Sequence, residues 1–378
     1  MGDVLIRRVL LVALIALHPF IALVIGVDVG PLHIDPPLGD VAGALLLLAC
    51  IPLLVRGDRA PLPGPVGATL FLTVAILSAV LMAPAGGSSI ADALWWTLRK
   101  PTFSYIAYGI ALAAVVRKEA RVADSALVVM LWLVAALSIA TSIQRIAAGA
   151  GLWWAGIEGL TPNHKTLALW LSLFTPVLVA KRSHALNAVI AVALVLSASK
   201  TAWLVAGFGL AWSLRHNGRP LIARWRVAGL VGTVATGLLL ASPWLLGSAP
   251  SADAFRSRRS LDLRAWTMFT ESPLIGRGPG TSITFEMVEY PHYRINHVEA
   301  HGVIQKVGSE LGVAGMVAWG TFAVGLGAVA ARRREDRWTW LGVLAASHVA
   351  LLSSTEAFTM THWVPVGLAW GHVFRERD

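Results

Sequence analysis

The sequence predicts an all-α polytopic membrane protein, and three observations predict it. The 378 residues are 56% hydrophobic and only 14% charged, whereas soluble domains carry about 25% charged residues. Mean hydropathy is +0.68, as expected of a chain solvated in large part by lipid. The apolar runs are long and unbroken rather than alternating, so backbone hydrogen bonding inside lipid falls to helices and not to a closed barrel.

A membrane-crossing helix needs about 20 apolar residues. About twelve runs reach or approach that length, near 8–27, 41–55, 66–83, 102–116, 125–146, 165–180, 185–198, 200–214, 226–246, 302–330, 338–354 and 360–374. The first follows Arg7 and Arg8. It lacks the short core and small-residue cleavage site of a signal peptide, and so reads as a span.

Only Ser197-Ala198-Ser199-Lys200 separates 185–198 from 200–214. Charge decides for a break there. With the N-terminus cytoplasmic, both termini and the loops near 56–59, 117–121, 181–182, 215–226 and 332–337 share the cytoplasmic side and hold 19 of the 31 Lys and Arg. The short outer segment Asp28–Asp40 carries three Asp and no Lys or Arg. This is the positive-inside distribution, and merging 185–214 into one span breaks it. The net charge of +10 therefore belongs to membrane anchoring, not to nucleic-acid binding. The chain reads as one integral-membrane domain over 1–378, with both termini cytoplasmic.

The remaining basic residues lie outside, against that bias, and an anionic ligand at the outer surface accounts for them. Seven of them, Arg256, Arg258, Arg259, Arg264, Arg277, Arg294 and Lys306, belong to the long loop 247–300 and the span that follows it. Lipid headgroups suit Arg256–Arg259 equally well. Loops longer than about 12–15 residues are usually functional or disordered. Within this one the spacing of Leu261, Leu263, Trp266, Met268 and Phe269 predicts an amphipathic helix at the interface over about 260–271. Glu271-Ser272-Pro273 stops it, and Gly276, Gly278 and Gly280 predict an irregular turn.

His301 is the candidate general base, because imidazole titrates near neutrality. Gln305, one turn further, can orient it. Glu310 lies half a helical turn around from His301, and a carboxylate within a span implies an ion-pair partner. Asn163 and His164 open the sixth span at the same depth as Lys200 and His301. His297 and His301 have zinc-compatible i, i+4 spacing. The segment reads His-Val-Glu-Ala-His, which misplaces the glutamate of the metalloprotease motif, and no third ligand is evident. No metal is therefore assigned. Gly276–Gly280 lacks the Lys-Ser/Thr ending of a phosphate loop, and the short cytoplasmic loops hold no nucleotide site. Cys50, the single cysteine, lies within an apolar run and permits no intrachain disulfide. Cations grouped with a base suit displacement at a carbon bearing a pyrophosphate leaving group.

Three stretches resemble the O-antigen ligase and polymerase family of bacterial integral-membrane glycosyltransferases. Thr161-Pro162-Asn163-His164-Lys165 is similar to the family's Gly-Asn-His-Asn-type opening of a span. Ser199-Lys200-Thr201-Ala202 is similar to its Ser-Arg-Thr/Gly-Ala turn, with Lys in place of Arg. Arg264–Gly280, followed by His301-Gly302 and Gly312-x-x-Gly315, is similar to its outer loop and the segment after it, with Gly302 where the family has a polar residue.

The resemblance covers about 160–330. It implies a glycosyltransferase-C type membrane fold in the bacterial inner membrane, with a periplasmic site and no cofactor or metal. It implies an undecaprenyl-pyrophosphate glycan donor, His301 as base, and Lys200 and Arg264 as pyrophosphate binders, with Arg277 beside them. Asn163, His164, His297 and Gln305 are then acceptor-side or lining residues. The acceptor is lipid A–core for a ligase or another glycan repeat for a polymerase. A glycan transporter is the alternative of another class, and the one-sided clustering of polar residues argues against a path through both leaflets.

Overall fold

The computed structural model describes residues 2–17, 27–29, 32–34, 38–55, 65–82, 84, 89–97, 109–147, 164–181, 183–197, 199–216, 250–281, 288–290, 293–295, 302–331, 338–351 and 360–375. Among these the chain is essentially all-helical. The first half comprises α1 (Gly2–Leu17), α2 (Leu38–Val55), α3 (Pro65–Leu81), α4 (Ile90–Thr97), α5 (Ala111–Lys118) and α6 (Ala120–Ala147). Then come α7 (His164–Leu173), α8 (Thr175–Lys181), α9 (His184–Ser197) and α10 (Lys200–His216). The last helices are α11 (Pro250–Glu271), α12 (Val303–Ala331), α13 (Trp338–Leu351) and α14 (Met360–Val373).

Two small antiparallel ribbons accompany the helices. β1 (Val27–Val29) pairs with β2 (Leu32–Ile34), and β3 (Val288–Tyr290) with β4 (Tyr293–Ile295). Val27 was expected in the first span. Instead Val27 begins strand β1, and the described part of α1 is Gly2–Leu17. The expected span 226–246 lies outside the described residues.

Two helical stretches among the described residues, Ala120–Gln144 and Val303–Gly325, are long and apolar enough to cross a membrane. Shorter apolar helices occupy Val41–Pro52, Val66–Leu81, His184–Ser197 and Trp338–Leu351.

Local chemistry explains the interruptions. Pro176 has no N–H to give the Ser172 carbonyl, and the Thr175 hydroxyl takes that carbonyl instead at 2.8 Å. The chain turns there between α7 and α8. The break expected before Lys200 is present. The Ser197 hydroxyl accepts the Ser199 N–H at 3.3 Å, and the Ser199 hydroxyl caps α10 by accepting the Ala202 N–H at 3.4 Å. The Trp203 indole donates back to the Leu194 carbonyl at 2.6 Å and ties α10 to the end of α9.

One large core joins α1, α2, α5–α10, α13 and α14 around fully buried Trp170, Phe174, Trp363 and Trp370. A smaller cluster of Phe71, Ala75, Val303, Val307, Leu311 and Ala318 glues α3 to α12.

Side-chain contacts fix one pole of this bundle. Arg8 pairs with Glu119 at 2.9 Å, and Lys181 with Asp124 at 3.3 Å. The His372 ring nitrogen lies 3.7 Å from Asp124, and Trp340 stacks on that ring at 3.9 Å. The Trp212 indole donates to the Trp338 carbonyl at 2.9 Å. The starts of α1, α6 and α13 and the ends of α5, α8, α10 and α14 therefore share this first pole. Following the chain back along α7–α8 and α10 places both helix starts at the opposite, second pole, and Leu351 at the far end of α13 clusters there with Val303 and Val307 of the first turns of α12.

Candidate functional site

The second pole gathers the helix starts that carry the motifs. His164 is the first residue of α7 and Lys200 the first of α10, and these two helices pack together. α12 begins immediately after Gly302, and Gln305 is half-buried in its first turn. The structure thus brings the backbones of His164, Lys200 and Gln305 to one pole. The side chains of His164 and Lys200, and the whole of Asn163, His297 and His301, lie outside the described residues.

α11 delivers the arginines. It spans Pro250–Glu271 and ends at Glu271, where the sequence predicts the stop, but it begins about ten residues before the expected 260. Proline suits a first helical turn, where its missing N–H has no partner to lose. The early part carries Arg256, Arg258 and Arg259 rather than an apolar stripe, which hides it from a periodicity reading. Ala265 and Met268 are buried, while Leu263, Trp266 and Arg264 stand exposed. α11 packs against α12, and a Cβ at Gly308 would sit 3.8 Å from the Phe269 ring.

The segment Pro273–Gly280 after α11 forms a strap that enters a break in α12. Gly312, inside that helix, has φ 63° and ψ −160°. In an unbroken helix the N–H groups of residues 313 and 314 bond the carbonyls of 309 and 310. Here the Val313 and Ala314 N–H groups donate to the Pro273 and Leu274 carbonyls at 2.8 and 3.0 Å. The freed Ser309 and Glu310 carbonyls accept from the Arg277 and Gly278 N–H groups at 3.0 and 2.9 Å. Two helical bonds are replaced by four through the strap, which pairs the 313 and 314 N–H groups and the 309 and 310 carbonyls.

Two glycines make this approach possible. A Cβ at Gly276 would meet the Glu310 carbonyl carbon at 2.1 Å, and one at Gly312 would meet the Leu274 carbonyl carbon at 2.5 Å. The irregular turn expected at Gly276, Gly278 and Gly280 is present, with all three at positive φ.

Polar side chains lock the strap. The Arg277 guanidinium pairs with Glu271 at the end of α11. The fully buried Ser78 hydroxyl, from α3, lies 2.7 Å from the Ile275 carbonyl and 3.0 Å from the Glu310 carbonyl, and its single proton is shared between them. Lys306 and Glu310, one turn apart and both buried, pair at 3.9 Å. Glu310 thus has the ion-pair partner its position implies. Lys306, grouped in sequence with the outer cations, has a carboxylate of its own chain beside it. Sequence reasoning missed Ser78, since Thr69, Thr73 and Ser78 are indistinguishable in an apolar run. Only its fold partners mark it.

The arrangement sets an exposed arginine on α11, two positive helix starts and the first turn of α12 around one pole, with the strap fixing α11 to α12. No protein-family model matches the chain, and no curated protein matches it.

Proposed function

We propose that the chain is an integral-membrane glycosyltransferase of the O-antigen ligase type. It transfers a glycan from undecaprenyl pyrophosphate to a sugar hydroxyl of lipid A–core at the outer face of the bacterial inner membrane. In this reading about twelve helices of a glycosyltransferase-C type fold cross the bilayer. The first pole is cytoplasmic with both termini, and residues 247–300 form the periplasmic loop. The first-pole cluster of Arg8, Arg117, Lys118 and Lys181 is what the positive-inside rule requires of that side.

His301 takes the proton of the acceptor hydroxyl as its oxygen bonds the anomeric carbon of the donor sugar. The bond from that carbon to the pyrophosphate oxygen breaks, and undecaprenyl pyrophosphate leaves. Lys200 and Arg264 meet the charge that develops on the leaving group. Arg277 joins them only by releasing Glu271. Asn163, His164, His297 and Gln305 line the acceptor side.

The observation that carries this reading is the strap. It joins the two glycine motifs of the resemblance, Gly276–Gly280 and Gly312-x-x-Gly315, into one unit at the pole where α7, α10 and α12 begin. The break in α12 also favours a second reading as a transporter, since discontinuous helices form transporter substrate sites. In transporters the freed helix ends face substrate. Here the broken-helix groups are already bonded to the strap, which favours the enzyme.

The test uses purified protein in detergent, an undecaprenyl-pyrophosphate glycan donor, no nucleotide and a chelator. Rough lipid A–core and additional donor are offered separately as acceptors. Transfer to the core lipid supports the ligase, and a ladder growing on the carrier lipid identifies a polymerase. An intact donor with both acceptors contradicts the enzyme and favours the transporter.

A further inference from the structure

We propose that Ser78 and the Lys306–Glu310 pair are positioning residues that set the spacing between α11 and the start of α12. The inference rests on the reading of this pole as the transfer site, because that spacing is the separation of Arg264 from Gln305.

A continuous chain of contacts carries it. The Gly302 carbonyl accepts the Lys306 N–H at 2.9 Å, so the residue that follows His301 is fixed by the backbone of Lys306. The Lys306 ammonium faces the Glu310 carboxylate at 3.9 Å, one turn further along. The Ser309 hydroxyl closes that turn by donating to the Lys306 carbonyl at 3.0 Å. The Glu310 carbonyl in turn receives the Gly278 N–H and shares the Ser78 proton. From Gly278 the strap runs back through Arg277 and Glu271 into α11.

Ser78 stands where three segments meet. Its one hydroxyl touches the strap at Ile275 and α12 at Glu310 from a third helix, α3. A bifurcated bond of this kind fixes the two acceptors relative to each other and to the donor. Removing it leaves the four backbone bonds of the strap without their side-chain lock, so they open more often and let α11 move relative to α12. The buried ion pair acts on the other side of the same contact. It ties the first two turns of α12 together up to the residue whose carbonyl receives the strap. All three act through the positions of Arg264 and Gln305.

The test measures the spacing directly and then its consequence. Spin labels are placed at Leu263→Cys on α11 and Ile304→Cys on α12, both exposed positions, in a Cys50→Ala background of the full chain in nanodiscs. Ser78→Ala and, as a second variant that keeps a polar partner for Lys306, Glu310→Gln are compared with the parent.

The proposal expects the interlabel distance distribution to shift and broaden in both variants. It also expects KM for the lipid-linked donor to rise about tenfold or more, a loss typical of small misplacements, with a smaller change in kcat. A parent-like distance distribution in both variants overturns the proposal, whatever the kinetics. A shifted distribution in a protein whose parent consumes no donor supports the positioning role and overturns only the glycosyltransferase reading.

Discussion

Gly276 and Glu310 are packed backbone to backbone, so tightly that a Cβ on residue 276 would overlap the Glu310 carbonyl carbon at 2.1 Å. The strap reaches the broken helix only because this side chain is absent. The same holds at Gly312, where positive φ adds a conformational cost of about 1–2 kcal/mol to any other residue.

Gly276→Ala and Gly312→Ala are therefore each expected to destabilise the protein by more than about 2 kcal/mol. Gly320→Ala, in the same helix with nothing within 4 Å of a new Cβ, is expected to be neutral or to stabilise by up to about 1 kcal/mol. Thermal unfolding of the three variants in one detergent checks this. Equal behaviour of all three contradicts the packing account.

The strap and the break should open together. The amides of Arg277, Gly278, Val313 and Ala314 form one reciprocal set, so hydrogen exchange should protect them as a single unit. Ser78→Ala should accelerate all four. Exchange of Val313 and Ala314 at rates unrelated to those of Arg277 and Gly278 is the contrary result.

Removing one partner of the buried Lys306–Glu310 pair takes away the other's counterion one helical turn along. Glu310→Leu is expected to cost about 3 kcal/mol, and Lys306→Met combined with it to recover most of that loss. A double-mutant cycle on unfolding free energies reads the coupling. Additive effects of the two substitutions contradict a direct pair.

The break before Lys200 decides the topology. In a Cys50→Ala background, His184→Cys and Arg215→Cys, at opposite ends of the α9–α10 pair and both exposed, are expected to react with an impermeant thiol reagent from the cytoplasmic side. Ser89→Cys is expected to react from the periplasmic side. Labelling of residues 184 and 215 from opposite faces means that 184–216 crosses once.

The α9–α10 break was legible in the sequence because charge counts both sides of a membrane, and one merged span misplaces Arg215–Arg226. The end of α11 was legible because Pro273 stops a helix from any environment. The first ten residues of α11 were not, since their polar and basic side chains carry no apolar period. The ion-pair partner of Glu310 followed from the cost of burying a carboxylate. The strap did not follow. Gly276–Gly280 and Gly312-x-x-Gly315 each announce unusual backbone, yet nothing in local sequence says that one fills the other. Ser78 was silent for the same reason, because its role exists only where three distant segments meet.

The most direct test of the central claim compares glycan transfer from an undecaprenyl-pyrophosphate donor by the wild type and by His301→Ala, Lys200→Ala and Arg264→Ala. Thermal stability is measured alongside to show that each variant is folded. The account predicts transfer by the wild type and a loss of about 100-fold or more in each variant, the scale typical of removing a general base or a group that stabilises developing charge. Wild-type turnover in all three folded variants contradicts it.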